Sequence, residues 1–191
     1  MQRTGAFGWK RVIKILIPVL VCIISVVLDQ VSKVFFKNLF FENKGETVII
    51  PNFFYFTYTV NTGAAWGFLS EVSWGQLFFK ILTSIAILIF AVLWVFSIIK
   101  NKKWLSYSFS FIIGGTVGNF IDRLSFNGVT DFIGVYIGTY KFPIFNLADS
   151  FLVVGMIMII VYFLFLDKDA LLKFRKKKTG EKYGKKDLSD N

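Results

Sequence analysis

Apolar residues gather into four long blocks along the chain, and the polar breaks between them carry most of the charge. A membrane helix needs about twenty mainly apolar residues. The first block, VIKILIPVLVCIISVVL at 12–28, is marginal in length. Basic residues precede it, as in a signal peptide, but Asp29-Gln30 follows where a small-residue cleavage site would be, so it reads as a retained anchor. The second, GQLFFKILTSIAILIFAVLWVFSII at 75–99, is the longest. The third, LSYSFSFIIGGTVGNFI at 105–121, is rich in Ser and Gly, which suits a helix packed against other helices. The fourth covers 147–166. One stretch has a different rhythm. In TVIIPNFFYFTYTV (47–60), Phe54, Phe56, Tyr58 and Val60 alternate with Tyr55, Thr57 and Thr59, the period of a half-buried strand that Pro51-Asn52 begins or breaks. The pattern predicts an all-α polytopic membrane protein: four transmembrane helices, a small β-sheet resting on them, its aromatic side at the lipid interface, and neither internal repeat nor linker.

Composition agrees and charge adds direction. The chain is 55% hydrophobic and 19% aromatic, with a mean hydropathy of +0.62. Its 18% of charged residues falls below the roughly 25% usual in soluble domains. Sixteen of the 22 Lys and Arg lie before block one or in its first turn, between blocks two and three, or after block four. Positive residues stay cytoplasmic, so both termini should be cytoplasmic, and the 29–74 loop with its sheet should be extracytoplasmic. Lys80, near the outer end of block two, should snorkel to the interface. The net charge of +10 flanks apolar segments and forms no aromatic-studded face, which argues against nucleic acid. The division is one membrane domain, 1–166, and a basic cytoplasmic tail, 167–191, suited to retention and anionic-lipid contact.

The chain contains no histidine, which excludes Ser-His-Asp triads, Cys-His dyads and histidine-ligated metals. Cys22 is alone in an apolar run and forms no intrachain disulfide. Four aspartates, Asp29, Asp122, Asp131 and Asp149, all fall at the outer ends of the spans. Two nearby carboxylates share a proton, so one acts as base and the other as acid, and Asp149 could pair in this way with Asp131 or with Asp122. Each acid also has a plain structural reading. Asn146 and Asp149 have N-cap to N3 spacing. Asp122-Arg123 suits an interfacial ion pair, Asp29 and Lys33 an i,i+4 pair, and NTGAAWGF (61–68) a small-residue turn before a reentrant aromatic.

Taken in order, LDQVSK (28–33), NTGAAWGF (61–68), GGTVGNFIDR (114–123), GVTDF (128–132) and FNLADS (145–150) resemble the motifs of the bacterial lipoprotein signal peptidases, signal peptidase II. The resemblance implies a membrane aspartic endopeptidase of the bacterial cytoplasmic (inner) membrane. Such an enzyme removes signal peptides from prolipoproteins just before a diacylglyceryl-modified cysteine. It implies a catalytic dyad of Asp131 and Asp149, with Asp122 in support. Asn61, Gly63, Asn119, Arg123 and Asn146 would be supporting or substrate-positioning, and Asp29 and Lys33 structural or substrate-contacting. The expected partners are prolipoproteins and membrane lipids, with no obligate protein partner, cofactor or metal. Gly114, Gly115 and Gly118 would admit a close helix, and the sheet would clamp substrate. Trp66 and Thr130 depart from the usual pattern without replacing a polar motif residue. The rival readings are a proton- or ion-coupled transporter, which would want acids at mid-membrane, and a non-enzymatic scaffold, which leaves the acids unexplained.

Overall fold

The protein is described by a computed structural model over residues 5–40, 45–63 and 72–167. Helix α1 runs unbroken from Gly5 to Phe40, twelve residues past the predicted end of the first span. Hence Asp29 lies inside the helix and does not end it. The reason is visible on its buried side: Ser25, Asp29, Lys33 and Phe40 recur at spacings of four and seven and face inward. Between them Val27, Leu28, Val31, Val34, Phe35 and Leu39 are exposed. Polar inside and apolar outside inverts the soluble pattern, and it is what a helix in lipid requires. An apolar-run criterion stops at Asp29-Gln30 and misses this.

Helix α2 spans Gly75–Ile99, as predicted. Helix α3 covers Lys103–Phe126, and α4 covers Leu147–Val161 before closing in a π-helical turn, Tyr162–Leu166. Three helical segments, Val12–Phe40, Gly75–Ile99 and Leu147–Leu166, are long and apolar enough to cross a membrane. The fourth long helix, α3, falls short in hydropathy because it packs against α1, α2 and α4. Its buried Ser106, Ser108, Ser110, Gly114, Gly115, Thr116 and Gly118 have given up apolar bulk for close approach. Ser108 and Thr116 each donate to the carbonyl four residues back, so these hydroxyls are satisfied without a partner helix.

At Gly115 a β-carbon would strike the backbone oxygen of Ala148 and the side chain of Leu152. A backbone oxygen has no rotamer to escape into, so Gly115→Ala must push α3 and α4 apart. The expected cost is about 1–3 kcal/mol, read as a lower melting temperature in detergent. Asp149, at the start of α4, should shift with that helix.

Four antiparallel strands form one sheet in the order β1 (Thr47–Ile50), β2 (Phe54–Asn61), β3 (Val129–Ile137), β4 (Tyr140–Lys141). Periodicity pointed to the region of β1 and β2 only; β3 lies in what reads as a loop. Pairing explains it: Tyr55 sits opposite Gly134, and the missing side chain there leaves room for the tyrosine ring, which is 1% exposed. The aromatic face also differs from expectation. Phe56 and Phe132 pack on Phe36 of α1, with ring centroids 4.5 and 4.3 Å apart, so this face grips a helix. A shift in register between Phe56 and Thr59 spoils the simple alternation. The Lys80 ammonium donates to Asn127 Oδ1 at 2.7 Å, fastening α2 to the left-handed residue that ends α3. Trp66 and the greater part of the 61–68 motif, like the tail from 168, lie outside the described residues.

Candidate active site

The start of α4 supplies the first acid. Asn146 caps the helix: its Oδ1 accepts from the Asp149 N–H at 2.9 Å, and Asp149 Oδ2 accepts from the Asn146 N–H at 3.2 Å. This is the reciprocal capping box that their spacing announced. The second acid, Asp131, sits on β3 opposite Thr59 of β2. Both acids line a cavity of about 1010 Å³. Asn61, Gly63, Asn119 and Arg123 share the lining, and Phe142, Phe145, Val153 and Val154 give it an apolar wall.

Three asparagines hold the two carboxylates, and each has its amide orientation determined from behind. Asn61 accepts the Gly63 N–H at its Oδ1, so its Nδ2 must face outward, and it donates to Asp131 Oδ2 at 3.2 Å. The Oδ1 of Asn146 is occupied by the cap, so its Nδ2 donates to Asp131 Oδ1 at 2.7 Å. Asn119 Oδ1 faces Lys33 Nζ at 2.9 Å; an ammonium can only donate, so Asn119 Nδ2 donates to Asp149 Oδ1 at 2.8 Å. Burial, and after it the negative charge of Asp149, pushes the Asp131 carboxyl up to about 7 from an ordinary 3.8. The asparagine donors pull the other way without winning.

Asp29 and Asp122 occupy a different place. They are 0% and 2% exposed and do not line the cavity. Lys33 Nζ bridges them at 2.8 and 3.3 Å. Asp29 Oδ1 accepts the Ala148 N–H at 2.9 Å, and Asp122 Oδ2 accepts the Thr130 N–H at 2.8 Å. One buried acid thus positions the start of α4 and the other the start of β3, the two elements that carry Asp149 and Asp131. At residue 130 it is backbone that matters, which makes the unusual threonine tolerable. The i,i+4 pair of Asp29 and Lys33 forms as expected, with Asp122 joined to it.

The expected ion pair of Asp122 with Arg123 does not form, because neighbours on a helix point to different faces. Arg123 donates to the Gly63 carbonyl at 3.1 Å and stacks on Phe79 at 4.6 Å. One contributor had no role in the sequence reading. Gln30 Nε2 lies 3.0–3.1 Å from Asp29 Oδ2, Asp122 Oδ1 and the Gly118 carbonyl. Its signal was a polar residue beside Asp29 on a stretch of helix, 25–33, none of whose polar positions is exposed. Among the described residues no group of three or more acids and thiols is arranged to hold a metal.

Apolar helices around a cavity that holds two carboxylates, in a chain without histidine, fit one class: the membrane aspartic peptidases, which are hydrolases. Comparison with known proteins narrows it. The family model described as signal peptidase (SPase) II matches residues 21–165, and the chain belongs to that family. It is 40% identical over 142 residues to a lipoprotein signal peptidase of Coxiella burnetii, covering 74% of this chain and 86% of that one. Against a lipoprotein signal peptidase of Pseudomonas fluorescens it is 36% identical over 180 residues, 94% of each chain. It is also similar to a bacterial membrane enzyme solved by the in meso method at 2.3 Å, with a TM-score of 0.65 and 35% identity, over 77% of this chain and 87% of that one.

Proposed function

We propose that this protein removes the signal peptide from prolipoproteins by cutting before the diacylglyceryl-modified cysteine, with Asp131 and Asp149 as a proton-sharing dyad. The observation that carries the reading is that these two acids alone among the four aspartates line the cavity, each held by amides of determined orientation. Asp131 holds the shared proton and acts as the acid on the scissile carbonyl. Asp149 takes a proton from the attacking water, and no covalent intermediate is needed. The roles reverse as the tetrahedral intermediate collapses and the amine leaves.

Membership of the family supports the substrate class. The apolar wall at Phe142, Phe145, Val153 and Val154 suits the lipid-bearing side of the peptide. In this reading α3 is a fourth span, sheltered from lipid by its neighbours. The sheet lies on the outer face and both termini are cytoplasmic in the bacterial inner membrane, since 16 of the 22 basic residues then fall inside. Residues 1–166 form the peptidase domain, and 167–191 a cytoplasmic tail. The deciding experiment is cleavage of a diacylglyceryl-modified lipobox peptide by the purified protein. Cutting before the lipidated cysteine supports the reading, and no cutting in a folded preparation overturns it.

A dependence on pH follows. Because the Asp131 carboxyl titrates at about 7, its proton is lost as pH rises through neutrality, and turnover should fall with it. Stability moves in the same direction. The unfolded chain ionises this aspartate near 3.8, so between there and about 7 the folded state binds more protons, and rising pH weakens the fold. Asp131→Asn should therefore gain melting temperature over wild type at pH 8 and show little gain at pH 4. Equal differences at both values would count against a strained, buried carboxyl.

A further inference from the structure

By the helix rise, Lys14 lies roughly 22 Å along α1 from Asp29. Around it a second cleft of about 80 Å³ opens between α1, the end of α2 and the start of α3. Ile13, Ile17 and Ile98 make one side apolar, and Lys14, Asn101 and Lys103 stand among its polar residues. No acid lines it. Elsewhere lysine ammonium groups have found oxygens: Lys33 at Asp29, Lys80 at Asn127, Lys141 at Glu46. Among the described residues Lys14 and Lys103 have no such partner. Lys103 also sits in the first turn of α3, which holds no acid, at the helix end where a cation is disfavoured. Two unpaired cations at one small cleft await a counter-charge.

We propose that this cleft binds the phosphate of an anionic phospholipid, the two lysines on the phosphate and the acyl stem against the isoleucines. The ligand is a lipid and not a free anion because the apolar side is continuous with exposed Leu16, Leu20 and Ile99, which the span assignment presents to the bilayer. The cleft is preformed. Beneath it Ser110 Oγ donates to the Pro18 carbonyl at 2.8 Å, Trp94 Nε1 donates to the Ser106 carbonyl at 3.1 Å, and the hydroxyls of Ser97 and Ser106 meet at 3.0 Å, tying three helices together. The inference rests on the helices being membrane spans and is independent of the dyad.

Native mass spectrometry of the full chain, in detergent with equimolar phosphatidylglycerol and phosphatidylcholine, tests it. Wild type should retain phosphatidylglycerol preferentially, and Lys14→Gln/Lys103→Gln should lower that retention about tenfold. Lys173→Gln/Lys176→Gln removes the same charge from the tail and should change it less than about twofold. Both residues of the cleft pair are exposed and far from the cavity, so the double variant should fold and still cut substrate, which separates this result from any failure of the peptidase reading. Unchanged retention in the cleft variant would overturn the site. An equal loss in the tail variant would reduce it to general surface charge. Release of the lipid by millimolar inorganic phosphate would overturn the lipid assignment in favour of a free anion.

Discussion

Asp131→Asn and Asp149→Asn are each expected to lower kcat by about 10³-fold, the scale on which a positioned acid or base contributes. The two losses should not add, since a dyad with one titrating member has already lost the shared proton. Both variants should remain folded. At position 131 the new amide faces two donors, Asn61 Nδ2 and Asn146 Nδ2, and at position 149 it faces Asn119 Nδ2 and the Asn146 N–H. One mismatched contact at each site costs about 1–3 kcal/mol, and at position 131 removal of a strained carboxyl offsets it above neutral pH. Asp122→Asn separates the dyad from its support. It keeps an oxygen for the Thr130 N–H and touches nothing in the cavity, so it should retain at least about a tenth of wild-type kcat, on the weaker scale expected of an outer partner. Cleavage of a lipidated peptide, with melting curves for each variant, measures all three. If Asp122→Asn is as inactive as the other two while folded, the assignment of Asp131 over Asp122 fails.

That assignment could not be made from spacing. Asp122 and Asp131 both precede α4, and periodicity left β3 unseen because its burial runs continuously from Val129 to Phe132. A strand buried in this way does not alternate. Local signals were read correctly where the physics is local: the Asn146–Asp149 capping box, the Asp29–Lys33 turn and the limits of α2 and α4. What escaped was set by distant contacts. Asp122 turns away from Arg123 because Lys33 waits on α1, 89 residues earlier. Tyr55 packs inward because position 134 is glycine. Helix α1 continues past Asp29 because α3 offers its polar stripe an interior. The convergence of four acids was legible as a cluster; its division into two facing the cavity and two beneath it was a property of the packing.

Lys33→Met tests what the buried pair beneath the cavity does. The substitution keeps the volume and removes the one cation between Asp29 and Asp122, which are both buried. Stranding buried charge in this way costs about 3–5 kcal/mol, so a large fall in melting temperature is expected. A second effect is separate from stability. Asn119 Oδ1 loses its ammonium donor and keeps only the 3.1 Å contact from Asn146 Nδ2, so the amide that faces Asp149 is held less firmly, and kcat should fall more than KM rises, because Lys33 does not touch the cavity. The triple variant Lys33→Met/Asp29→Asn/Asp122→Asn tells the two effects apart. Neutralising all three members removes the stranded charges, and replacing a whole buried ion cluster is often close to neutral, so most of the lost stability should return. The Asn119 amide still lacks its ammonium donor and is held by Asn146 Nδ2 alone, so kcat should stay below wild type. Recovery of both together would mean that Lys33 acts on the reaction only by keeping the protein folded.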